Sequence, residues 1–173
     1  MKKAFTLFEI MITMILISLL YYFAINSFTN KTVKKTDTIT LTNLKEMLLK
    51  YTFNNKIEIK CIEDDYSCFV FIDNVLQNEK IAPLFKEKPI IYEYNQELTR
   101  IEYKDLELEQ LDRYNVIFEY SCGVDKKCSN AIVETPEKVY IYDDLYAKPK
   151  IIEFISDIDD YFDNLKREVK DAF

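Results

Sequence analysis

Lys56-Ile-Glu-Ile-Lys-Cys61, then Glu63-Asp-Asp65, then Cys68-Phe-Val-Phe-Ile72, is the stretch that sets the body of this chain. The first run alternates like a strand, the acids supply a turn, and the second run reads as the returning strand. Val116-Ile-Phe-Glu-Tyr-Ser-Cys122, Gly123-Val-Asp-Lys-Lys127 and Cys128 repeat the plan. Gly123 sits where that second turn would need an unusual backbone angle. Four cysteines allow three connectivities. The two hairpins favour the local pairs, Cys61 with Cys68 and Cys122 with Cys128. A four-cysteine zinc site would want a C-x-x-C spacing that the chain lacks.

From these hairpins the β reading extends over residues 56–152. Strands are expected at 57–61, 68–73, 89–94, 99–104, 115–121, 131–134 and 138–142. They carry β-branched and aromatic residues in alternation, as in Ile91-Tyr-Glu-Tyr94 and Val139-Tyr-Ile-Tyr142. Asn95-Gln-Glu97 is expected to connect a hairpin. The 13 tyrosines are then mostly half-buried residues on a sheet face rather than a binding surface. Beyond the sheets, Ile155, Ile158, Phe162, Leu165, Val169 and Ala172 recur at spacings of three and four. They form a narrow apolar seam on a C-terminal helix, 153–173. Asp157, Asp159, Asp160, Asp163, Glu168 and Asp171 lie mostly off that seam. No glycine-turned EF-hand loop accompanies them, so they read as a solvated face and not a calcium site.

Composition narrows the function. The 173 residues contain no histidine, no tryptophan and one glycine. Without histidine the Ser-His-Asp and Cys-His arrangements are lost, as are His-ligated zinc and haem. One glycine cannot build a G-x-G-x-x-G turn or a P-loop. Nothing sets two of the abundant carboxylates in a catalytic context. The expectation is no enzyme, no cofactor and no metal. A net charge of −7 opposes phosphate binding. The basic clusters are only the small pairs Lys34-Lys35 and Lys126-Lys127, the second reads as a solvated turn, and nucleic acid is not an expected partner.

Upstream of the β region the pattern changes. No charged residue occurs from Ile10 to Asn30, about the length that a helix needs to cross a bilayer core. Lys2 and Lys3 precede it and would stay cytoplasmic by the positive-inside rule. Glu9 stands against the apolar run, and an acid at such a position needs a partner. No A-x-A-like site closes the run, as a secretory signal peptide would require. No proline or glycine interrupts residues 1–82. A single helix over 5–53 is therefore expected, about 75 Å long, its Ile39, Leu44, Leu48 stripe packing on the β-domain. The threonines between 36 and 42 weaken helix propensity there.

Lys3-Ala4-Phe5-Thr6-Leu7-Phe8-Glu9 resembles the leader and cleavage site of type IV prepilins, shared by type IV pilins and the pseudopilins of type II secretion. The resemblance covers residues 1 to about 30. It implies cleavage between Ala4 and Phe5 by a prepilin peptidase and N-methylation of Phe5. The family usually has glycine where this chain has Ala4, which implies slower processing. Cleavage would create a protonated α-amine on Phe5, four residues before Glu9. That carboxylate could meet its own amine or a neighbour's. In the family the acid guides each subunit into a growing filament.

The expected fold class is α+β: a long N-terminal helix, membrane half plus periplasmic half, packed on an antiparallel β-sheet domain, with a C-terminal amphipathic helix. The expected parts are a cleaved leader (1–4), a transmembrane and assembly helix (5–30), its extracytoplasmic half (31–53), a β-rich domain (56–152) and the C-terminal helix. The expected function is a minor pilin or pseudopilin of a type IV pilus or type II secretion-like filament. Its partners would be prepilin peptidase, other pilin or pseudopilin subunits, an inner-membrane assembly platform and membrane lipid. It would be a single-pass inner-membrane protein with a periplasmic C-terminal domain before assembly. A signal-anchored periplasmic binding module that never assembles is the alternative.

Overall fold

The computed structural model describes residues 8, 10–19, 38–108 and 113–171, without the side chains of residues 78, 79, 169 and 171. The chain divides into two units, Met1–Thr38 and Ile39–Phe173. In the first, residues 10–19 are helical (α1). The second holds two short helical elements, α2 (Leu44–Leu48) and a 3-10 turn (Ile155–Asp157), the longer α3 (Ile158–Asp171), and ten strands.

The strands are β1 (Lys56–Ile62), β2 (Cys68–Ile72), β3 (Val75–Ile81), β4 (Ile90–Tyr92), β5 (Leu106–Glu107), β6 (Arg113–Tyr114), β7 (Val116–Gly123), β8 (Ala131–Glu134), β9 (Val139–Tyr142) and β10 (Lys150–Ile152). One sheet has the order β3-β2-β1-β7, another β10-β9-β8-β4, and β5-β6 forms a small ribbon. Every pairing between these strands is antiparallel.

The main core lies between the two larger sheets. Ile57, Ile59, Val70, Phe118 and Tyr120 of the first meet Ile91, Val133 and Tyr142 of the second, and Leu44 and Leu48 of α2 join them. Neighbouring residues of the second sheet, Tyr92, Ile132, Val139 and Ile141, point the other way, onto Ile158 and Phe162 of α3. The order of layers is therefore sheet, sheet, helix. The middle sheet is buried on both faces, which is why β8 and β9 are apolar at adjacent positions.

Three expectations need correction. The single helix expected over 5–53 is interrupted among the described residues. Residues 38–43 are non-helical, α2 has five residues, and the longest helix among the described residues is α3, with 14. The Thr-rich stretch uses side chains against the helix: Thr40 N–H donates to Asn43 Oδ1 at 2.7 Å, and the Thr40 and Thr42 hydroxyls bond at 2.9 Å. Such local bonds compete with the helical ladder. The stripe residues Ile39, Leu44, Leu48 and Tyr51 do pack on the main core, but from a short helix and its flanking turns.

The transmembrane expectation also fails. No helix among the described residues is long and apolar enough to cross a membrane. The described residues accordingly do not support the expected pilin-style architecture or a single-pass inner-membrane location.

The third correction concerns strands. Residues 99–104 form only one bridge, Arg100 with Tyr92. The segment lies along β4 through Glu93 N–H to Thr99 O (2.8 Å) and Ile101 N–H to Ile91 O (2.9 Å). β3, β5, β6 and β10 were not expected. β3 follows β2 through Asp73-Asn74, whose φ angles of 51° and 67° suit a two-residue hairpin turn. Asp73 fixes that turn by accepting bonds from the Asn54, Asn55 and Lys56 amides.

Candidate functional site

The processing and assembly residues Lys2, Lys3, Ala4, Phe5 and Glu9 lie outside the described residues. What is described beside them is α1. Met11, Met14, Ile15, Leu16, Ile17 and their neighbours Ile10, Ile12 and Leu19 are all more than 40% exposed, and Phe8 is 71% exposed. The two hydroxyls in this stretch turn onto the helix's own backbone: Thr13 Oγ1 donates to Ile10 O and Ser18 Oγ to Met14 O, each at 2.8 Å. Laterally, then, α1 offers apolar surface on every side. A helix of that kind calls for cover from other apolar groups.

The cysteines form two bridges, Cys61–Cys68 and Cys122–Cys128, the local pairing of the three that are possible. Cys61 and Cys68 stand directly opposite each other on β1 and β2. Cys122 on β7 faces Cys128 across a bridge. The intervening turn does not use Gly123 for a left-handed angle; Lys126 has that angle, φ 65°. A Cβ at Gly123 would come 2.8 Å from Asp125 Oδ1, so that side chain would have to turn aside. That carboxylate accepts from Lys127 N–H at 3.1 Å. Lys126 and Lys127 are exposed turn residues.

A groove of about 690 Å³ separates α3 from the β9–β10 connection. Tyr146, Lys148 and Lys150 line one side; Asp157, Asp160, Tyr161 and Arg167 line the other. Tyr94 Oη donates to Asp143 Oδ2 at 2.6 Å and lies 3.1 Å from Tyr161 Oη. Its one proton is committed to Asp143, so Tyr161 is the donor in the second bond. Burial first, then the Asp143 carboxylate, holds the Tyr94 hydroxyl far above its ordinary titration range. This hydroxyl chain fixes α3 on the sheet. Among the described residues no group of three or more His, Cys, Asp or Glu could hold a metal ion.

On the outer face of β1, Glu58 is 4% exposed and lies 2.6 Å from both Lys56 Nζ and Lys60 Nζ. Lys60 also reaches Glu119 at 3.0 Å. Burial pushes the Glu58 carboxyl up, but the two lysines outweigh it, and the result lies below the ordinary 4.5. Burial likewise pushes Lys60 down, and Glu58 and Glu119 carry it above 10.5. Alternation predicts the position of Glu58 but not its burial. These charges satisfy one another. Compared with known proteins, the chain matches no family model, no curated protein and no solved structure.

Proposed function

We propose that the chain is a type IV pilin-like subunit, a minor pilin or pseudopilin. It is cut between Ala4 and Phe5 by a prepilin peptidase, methylated on Phe5 and built into a filament through its N-terminal segment. The observation that carries this reading is the register of Ala4-Phe-Thr-Leu-Phe-Glu9 immediately ahead of a helix exposing apolar side chains all round. Such a helix gains by packing laterally against copies of itself or related helices, burying roughly 1.5–3 kcal/mol per large side chain. Cleavage supplies the Phe5 ammonium that Glu9 can pair with. The reading rests on the motif and on lateral packing of α1, not on a membrane-spanning helix. Its partners are the peptidase, other subunits of the filament and the assembly platform that adds them.

Intact-mass measurement tests the first step. Protein from cells with an active prepilin peptidase should begin at methylated Phe5. A chain retaining Met1 under those conditions would sink the reading.

A further inference from the structure

We infer that the Cys122–Cys128 disulfide is a redox latch on α2, whereas Cys61–Cys68 is a structural staple. The two bridges differ in what they hold. All four cysteines are buried, Cys128 the least so at 8% exposed. The Cys128 amide donates to Asp144 Oδ1 at 2.8 Å. Asp144 in turn receives Lys45: Nζ donates to the Asp144 carbonyl at 2.5 Å and lies 3.6 Å from Oδ1. Lys45 is buried on α2. The disulfide, the Asp144 turn and α2 therefore form one continuous polar path.

A buried cation depends strongly on its partners. Thiolate attack by an external dithiol on Cys128 Sγ would break the S–S bond and expel Cys122 as a thiolate, which takes up a proton. The reagent's second thiol then resolves the mixed disulfide. Two electrons enter the protein, two cysteine thiols form, and the reagent becomes a disulfide. With the bridge open, the Cys128 amide is free to move from Asp144 Oδ1, and the Lys45 site loosens. Bonds between Ser129 and Ser121 still tether the returning strand, and Tyr142 Oη still holds Leu41 O at 2.7 Å. The response is accordingly local loosening of α2, not unfolding. α2 is the first packed helix after Thr38, so the latch acts on the start of the second unit. This inference stands independently of the filament reading.

Hydrogen exchange on the full-length chain tests it. In Cys122→Ser/Cys128→Ser, with Cys61–Cys68 intact by mass mapping, amides of Met47, Leu49 and Tyr51 should exchange about tenfold faster, and those of β1 should not change. Oxidised Lys45→Met should show the same acceleration, and combining the changes should add little. Unchanged α2 exchange, fully additive effects, or uniform acceleration through both sheets would overturn the latch. Should the serine variant fail to fold, graded dithiothreitol with alkylation of the wild type decides: Cys128 and Cys122 should be labelled before Cys61 and Cys68, with α2 loosening in step. Simultaneous labelling, or no loosening, would refute it.

Discussion

Glu58 shows how a buried charge is kept at the level of one residue. Two lysines at 2.6 Å compensate its removal from water. Glu58→Gln should cost about 1–3 kcal/mol near neutral pH, toward the lower end because Lys56 reaches solvent. The cost follows from urea unfolding midpoints of both proteins. The sign of its pH dependence is set by the lowered carboxyl. The folded value lies below 4.5, so the contribution is complete above 4.5 and lost as pH falls through the folded value. The gap between wild type and Glu58→Gln should close in that acid range; a gap that widens there would refute the pairing. Gly123 makes a second residue-scale case. Its backbone angle is ordinary, and only Asp125 stands in the way of a methyl group. Gly123→Ala should cost about 1 kcal/mol through the lost Asp125–Lys127 bond. In an Asp125→Ala background the same change should cost almost nothing by the same assay. The one glycine of the chain was visible in the sequence, but its reason was not, because the crowding comes from a side chain folding back.

At the scale of elements, α3 depends on two buried anchors, Ile158 and Phe162, 2% and 9% exposed. Phe162→Ala should destabilise by about 3–5 kcal/mol, read from thermal and urea unfolding of the full chain. A cost below 1 kcal/mol would mean that the helix is held elsewhere. The seam of α3 was legible because Ile155, Ile158, Phe162 and Leu165 repeat at helical spacing, and all four contribute to the second core. The cysteine hairpins were legible because alternation, turn residues and cysteine spacing agree. Other elements were not. β5 and β6 have two residues each, too few for any periodicity to register. β3 could have been found from Asp73-Asn74, a dipeptide suited to left-handed angles, set between Phe71-Ile72 and Val75-Leu76. Residues 38–53 misled because apolar spacing suits a helix while Thr40, Thr42 and Asn43 bond locally.

At the scale of the whole molecule, one unit is a sandwich of two sheets with α3 on one outer face, and the other carries α1 with its exposed apolar side chains. If filament assembly is its use, Glu9→Ala should leave cleavage at Ala4–Phe5 largely intact and abolish incorporation into sheared filaments. Immunoblotting of sheared and cell-bound fractions measures both, and normal incorporation would reject the proposed pairing of Glu9 with the Phe5 amine. The motif behind this proposal is readable only in the sequence, since apart from Phe8 its residues lie outside the described structure. The layered arrangement was readable only in the structure: that α3 covers the second sheet, and that β8 and β9 are buried on both faces, follows from packing rather than local pattern.

The two disulfides enclose only residues 61–68 and 122–128. In the language of covalent connectivity, both are short circuits, and neither bridges the two sheets. A protease that nicks the chain within either loop leaves a single covalent molecule until a reductant is added. One cut anywhere else leaves two pieces joined only by packing, which separate on denaturing gels without reduction.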